Sequence, residues 1–195
     1  AFGGWLVYRS FHPGWMRSLL MDDMPVETIV HKRWPHYSAE RFTLPSDLVL
    51  CTGWTGQPAS TATFINDVKQ IRKQYPDVYD RFLTNTERAV NMFLRGAQTG
   101  ECRLVIDAVK ENRRALTTLD ERAHTPIETL RLSALAHLAE SHGGAGKPSG
   151  AGGGDCGIAF IGSRQVNKLR AAWRARGIEP LHLHENTTVV TIAAE

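Results

Sequence analysis

Residues 143–157 read Gly-Gly-Ala-Gly-Lys-Pro-Ser-Gly-Ala-Gly-Gly-Gly-Asp-Cys-Gly, and the apolar run Ile158-Ala159-Phe160-Ile161 follows at once. Eight of the fifteen residues are glycine, a density that is costly to order because glycine loses the most backbone freedom on folding. Glycine suits positive φ angles and close backbone approach to a ligand, and successive exposed N–H groups can form a concave anion site. Lys147 adds a cation and Ser149 a hydroxyl, so the chemistry that fits is phosphate or carboxylate binding. The competing reading is a flexible linker. A linker, however, does not require Asp155-Cys156-Gly157 directly ahead of an apolar strand. No Gly-Lys-Ser/Thr closes the loop, so it is not a Walker A loop. A helix before it and a strand after it exclude a dinucleotide fingerprint.

Upstream of the loop, Thr125-Pro126-Ile127-Glu128 reads as a capping box with proline at the first helical position. Ile127, Leu130, Ala134, Leu135 and Leu138 then line one helical face as far as Gly143. Three earlier helices are expected over 63–74, 87–98 and 101–116 from apolar residues at helical spacing. Leu48–Cys51 and Trp5–Phe11 read as strands, and residues 15–45, punctuated by Pro25, Pro35 and Pro45, as short strands and loops. Downstream, Ser163 opens a helix through Val166, Leu169 and Trp173 that stops at Gly177, and 181–183 and 187–192 read as strands. This order of elements predicts an α+β domain.

The bulk properties narrow the function classes. The chain has 195 residues, 42% of them apolar, which is enough for a substantial core. The formal net charge of +3 is evenly spread; it permits an anionic ligand and does not call for nucleic acid. No apolar run approaches the ~20 residues of a membrane span, so no membrane is expected. The three cysteines are dispersed and outside any C-x-x-C, which points to free thiols in a reducing cytoplasm. His182 and His184 would share a strand face, yet no third ligand accompanies them, and no metal site is expected.

Lys147-Pro148-Ser149-Gly150-Ala151-Gly152-Gly153-Gly154-Asp155-Cys156-Gly157-Ile158-Ala159 resembles the third conserved motif of the GHMP kinases, in the extended form carried by the phosphomevalonate kinase family. Gly53-Trp54-Thr55-Gly56-Gln57-Pro58-Ala59-Ser60-Thr61 resembles that family's G-W-T loop. Phe2 to Phe11 resembles the strand that follows its catalytic aspartate. The resemblance implies a GHMP C-terminal domain over 46–195, an antiparallel sheet with helices on one face in a ferredoxin-like split βαβ arrangement. It also implies that 1–45 is the tail of the N-terminal domain.

The activity so implied is transfer of the γ-phosphoryl group of ATP, with Mg2+, to (R)-5-phosphomevalonate in isoprenoid biosynthesis. Lys147, Ser149, the loop Gly150 to Gly154, Ser60 and Thr61 would meet substrate or phosphate. Asp155 would orient amides, act on Mg2+ through water, or cap the turn. The family's P-x-x-x-G-L-G-S-S-A loop does not occur in this sequence, and its aspartate would precede Ala1. No catalytic residue is therefore expected within 1–195, and a missing N-terminal half is the expected partner. Two rivals stand beside this reading. One is another GHMP enzyme, a mevalonate kinase or diphosphomevalonate decarboxylase, against which Asp155-Cys156 and Gly53-Trp54-Thr55 argue. The other is a ferredoxin-like binding module for RNA, whose stacking-aromatic signature is not visible here.

Overall fold

The computed structural model describes residues 3–58, 61–123, 127–150 and 152–183. The chain divides into two compact units at Thr43–Leu44.

In the first unit, β1 (Trp5–Arg9) pairs antiparallel with β2 (Ser38–Phe42), Trp5 opposite Phe42 and Arg9 opposite Ser38. Two helices lie between them, α1 (Pro13–Met21) and α2 (Val26–His31), where short strands and loops are expected from the sequence. Pro13 occupies the first turn of α1 and Pro25 is the N-cap of α2. At those positions the missing N–H forfeits no helical bond, so these prolines start helices instead of breaking them. His12 assists by accepting the Trp15 N–H on Nδ1 at 3.2 Å. The Trp34 indole donates to Ile29 O at 2.9 Å and meets Phe11 edge-on at 4.9 Å.

In the second unit, β3 (Leu48–Trp54) leads into α3 (Thr61–Gln74), α4 (Pro76–Thr99), α5 (Cys102–Ala123) and α6 (Leu130–Ser141). Then come β4 (Ala145–Pro148), β5 (Cys156–Gly162), a single 3-10 turn (Ser163–Gln165), α7 (Val166–Arg174) and β6 (Glu179–Leu181). The sheet order is β4-β5-β3-β6, with every neighbouring pair antiparallel. This is the expected α+β class. The helix α4 is longer than the periodicity suggests, because Pro76 starts it about three turns before Glu87. The 187–192 strand expected from the sequence lies outside the described residues.

Cys51, Ala159 and Ile161 face Leu135 and Ala139 of α6, Leu169 and Trp173 of α7, and Ile178. Their alternate positions place them on one face of the sheet. Small residues bring α6 close to the strands: a Cβ on Gly146 would lie 2.9 Å from Ala136 Cα, and one on Gly157 would lie 2.7 Å from Leu135 Cδ1. Trp173 is fully buried, and its indole N–H donates to Leu135 O at 3.1 Å, which satisfies the one polar group that the ring buries. On the β4 side, Phe93 of α4 meets Phe160 edge-to-face at 5.1 Å.

The start of α6 departs from the capping-box reading. Thr129 is the N-cap, its hydroxyl accepting from the Leu132 N–H, and the helix begins at Leu130. Leu130 is 91% exposed, while Leu132, Leu135, Ala136 and Ala139 form the buried face. Ile127 and Glu128 precede the helix and are held by other contacts. Thr125 and Pro126 lie outside the described residues.

Candidate functional site

The glycine-rich stretch is a hairpin connection and not one long loop. Its first part is β4, which carries Lys147 opposite Ile158 and Pro148 opposite Gly157. The Ser149 N–H donates to Cys156 O at 2.9 Å and closes the ladder. Residues 149–155 then cross between β4 and β5. Gly150, Gly152, Gly153 and Gly154 all have positive φ, as does Asp155 at +49°. A Cβ on Gly153 would run into the Phe64 ring of α3, and one on Gly152 into Ile127 O. At these two positions glycine is required both by conformation and by space.

Three bonds dock the loop onto its neighbours. The Gly153 N–H donates to Ile127 O at 2.8 Å. The Thr55 N–H donates to Asp155 O at 2.8 Å, and the Asp155 N–H to Gln57 O at 2.5 Å. The Gly-Trp-Thr segment and the glycine-rich loop therefore lie side by side. The N–H groups of Gly150, Gly152 and Gly154 have no acceptor among the described residues. Gly152 and Gly154 are buried, and a buried N–H without a partner is uncommon. Among the described loop residues the amides of Gly153 and Asp155 are thus committed to the protein, and those of Gly150, Gly152 and Gly154 are not. Ala151 lies outside the described residues.

Lys147 is half-buried, and its Nζ donates to Pro148 O at 2.8 Å. No carboxylate pairs with it among the described residues, and burial pulls its pKa below the ordinary lysine value. A desolvated ammonium without a counter-ion is a receptive partner for a phosphate. Arg131, in the first turn of α6, donates Nη1–H to Thr55 O at 2.5 Å and passes beside Gly56. Thr55 itself is buried, and its hydroxyl has no partner among the described residues. Arg131 does not stand among the residues singled out from the sequence, and Thr55 stands there only as a member of the Gly53-Trp54-Thr55 motif. No local pattern marks an arginine in a first helical turn as part of a loop that is remote along the chain.

The Asp155 backbone joins the two loops, and its carboxylate is exposed with the Cys156 thiol 3.7 Å from Oδ1. Burial, followed by the charge of Asp155, raises the pKa of that thiol. Trp54 is 42% exposed and is not part of the core. Ser149 is partly buried at the strand end. Ser60, His184 and the Thr61 side chain lie outside the described residues; Thr61 opens α3. No three His, Cys, Asp or Glu side chains converge among the described residues. Asp155 is the one carboxylate in the loop, which suits a Mg2+ held mainly by phosphates and water, the usual mode for this ion. Among the described residues no helix is long and apolar enough to cross a membrane, and the three thiols are free.

Residues 96–179 match the family described as GHMP kinases C terminal. Over 185 residues the chain is 34% identical to a phosphomevalonate kinase of Streptomyces sp. strain CL190, a match that covers 93% of this chain and 49% of that protein. The crystal structure of a Lin0012 protein from Listeria innocua superposes with a TM-score of 0.89 at 34% identity, covering 95% of this chain and 52% of that one. Streptococcus pneumoniae phosphomevalonate kinase in complex with phosphomevalonate and AMPPNP gives a TM-score of 0.79 at 24% identity, covering 94% and 52%. The chain spans about half the length of the relatives it matches.

Proposed function

We propose that this chain, whose residues 96–179 match the C-terminal family of the GHMP kinases, is the acceptor-side half of a phosphomevalonate kinase. The reaction is transfer of the γ-phosphoryl of ATP to the phosphate of (R)-5-phosphomevalonate, which yields diphosphomevalonate and ADP. The observation that carries this reading is the docked loop. The unpaired amides of Gly150, Gly152 and Gly154 and the Lys147 ammonium, which meets no carboxylate among the described residues, occupy one hairpin within a motif of the phosphomevalonate kinase form. The name of the Streptomyces relative, similar along nearly all of this chain, supports the same acceptor.

Phosphoryl transfer asks a protein mainly for positioning and charge neutralisation. The N–H dipoles of Gly150, Gly152 and Gly154 and the Lys147 cation stabilise negative charge without reorganising, which is the cheapest form of such stabilisation. The hydrogen bonds of Thr55 and Gln57 to Asp155 hold the loop at its place. When bound, Mg2+ neutralises part of the charge on the ATP phosphates. Ser149, Ser60 and Thr61 belong to the acceptor side in this reading, and the ATP loop and the catalytic aspartate lie in residues outside this sequence.

The test is coupled ADP release by the full-length protein with phosphomevalonate, mevalonate and diphosphomevalonate as acceptors. ADP release that depends on phosphomevalonate and not on the other two is the expected result. A preference for mevalonate, or no acceptor dependence, overturns the assignment.

A further inference from the structure

The height of the glycine-rich loop is set from beneath by one carbonyl. Ile127 O accepts the Gly153 N–H at 2.8 Å, and Gly152 passes so close to that oxygen that no Cβ would fit. Ile127 belongs to the short connection Ile127–Thr129 ahead of α6, a segment that forms no regular element of its own. Such a segment is normally free to shift, but this one is held on several sides. The Ile127 side chain is buried in a small cluster with Ile71 of α3 and Leu119 of α5. The Glu128 N–H donates to Asp120 Oδ2 at 3.0 Å. The Glu128 carboxylate receives a two-pronged contact from Arg113 of α5, Nε to Oε2 at 2.9 Å and Nη2 to Oε1 at 2.6 Å.

The third guanidinium nitrogen is committed as well, and Nη2 makes a further contact. Nη1 donates to Glu140 Oε1 of α6 at 2.8 Å, and Nη2 reaches Ser133 Oγ at 3.4 Å. The Arg113 and Glu128 side chains are 11% and 6% exposed. The hydrogen bond to Glu128, ahead of the opposing effect of burial, drives the guanidinium pKa further up, so Arg113 keeps its charge. A buried ion pair is a poor device for stability alone, since its desolvation cost rivals its attraction. What a planar guanidinium on a carboxylate does supply is a fixed distance and a fixed plane.

We infer that Arg113 and Glu128 are positioning residues for the phosphate loop. They fix the Ile127 carbonyl, and through it the Gly153 amide, so that the unpaired N–H groups of Gly152 and Gly154 stand at the height where the phosphate of the acceptor binds. Neither residue touches the substrate. The inference rests on the proposed reading of the loop as the acceptor-phosphate site, and the experiment separates the two.

The test variants are Glu128→Gln and Arg113→Lys in the full-length enzyme. Glutamine keeps the volume and one acceptor oxygen, and Arg113 keeps Glu140, so no buried charge is orphaned. Arg113→Lys keeps the charge and loses the fork. Each variant is expected to speed hydrogen exchange at the Gly153 amide while the core amides of Leu135 and Ile161 exchange as before. Each is expected to raise KM for phosphomevalonate by about tenfold or more, the usual cost of a loosened supporting contact. KM for ATP should stay within about twofold, because binding energy is lost on the acceptor side alone.

Unchanged Gly153 exchange, or unchanged KM for phosphomevalonate, in Glu128→Gln overturns the inference. A wild-type KM in Arg113→Lys overturns it too, because charge without the fork would then suffice. Gly153→Val is measured alongside. If Gly153→Val is inactive while Glu128→Gln behaves as wild type, the positioning role alone falls. If Gly153→Val is fully active, the reading of the loop as the phosphate site falls, and this inference falls with it.

Discussion

The Lys147 ammonium donates to the carbonyl oxygen of its own neighbour, Pro148, at 2.8 Å. A lysine folded back on the backbone and half-buried, with no carboxylate beside it among the described residues, holds a charge that is not neutralised. A phosphate arriving at the hairpin would find that charge already desolvated. Lys147→Met, which keeps the stem and removes the cation, is expected to lower kcat/KM for phosphomevalonate in the full-length enzyme. The loss should correspond to about 2–4 kcal/mol of transition-state stabilisation, as for other preorganised electrostatic contacts. Stability should not fall. Steady-state kinetics and urea unfolding of the same preparation provide the check, and a kcat/KM equal to wild type would return Lys147 to a structural role.

The same burial gives a pH signature. In the folded protein the Lys147 pKa lies below the ordinary value of 10.5, with desolvation as the cause. Between the folded and ordinary values the unfolded chain holds a proton that the folded chain has released. Stability therefore rises with pH across that interval, and below it the full cost of burying the charge persists. Lys147→Met should remove this contribution, which appears as a flatter dependence of the urea midpoint on alkaline pH than in wild type. Phosphate bound beside the ammonium should raise its pKa, so acceptor affinity should fall as pH climbs through the interval. Identical pH profiles for the two proteins would contradict this.

Gly153→Val should abolish turnover. The residue sits at φ +77°, where a β-branched side chain is strongly disfavoured, and its Cβ would collide with the Phe64 ring. Gly143 is the matched control. It has φ +83°, but a Cβ added there would meet nothing within 4 Å, so Gly143→Ala costs only backbone strain of about 1–2 kcal/mol. Kinetics of both variants, read with their thermal melts, distinguish a site effect from a general glycine effect. Equal activity losses in the two would remove the special status of Gly153.

Trp173→Ala should cost about 3–5 kcal/mol of stability, the range for deleting a buried aromatic. Trp173 is fully buried between α7 and the sheet, and its indole N–H satisfies Leu135 O. Chemical denaturation reads the loss directly. The variant that remains folded at low temperature should keep its KM for phosphomevalonate, because Trp173 packs beneath the sheet and not against the loop.

The purified 195-residue chain should show no ADP release dependent on phosphomevalonate. Phosphoryl transfer needs ATP phosphates, Mg2+ and acceptor held in line, and these residues contain no P-x-x-x-G-L-G-S-S-A loop to hold the first. Adding the N-terminal half proposed above in trans should restore turnover. Robust turnover by the chain alone would overturn the assignment of the machinery.

Short-range pattern was enough to read the strand at Ile158–Ile161, the helical character of α3, α4 and α5, and the glycine-rich turn ahead of β5. Each depends on residues two to four positions apart, which is the range over which strand and helix periodicities operate. Tertiary packing decided the rest. It drew Lys147 into β4, put Thr129 and not Thr125 at the cap of α6, and turned Pro13 and Pro25 into helix starters. It also brought Thr55 and Gln57 onto Asp155, Arg131 onto Thr55, Phe64 against Gly153, and Arg113 onto Glu128 beneath Ile127. These partners are remote along the chain, and they meet because buried N–H groups and charges must be satisfied by whatever the packed sheet and helices place beside them.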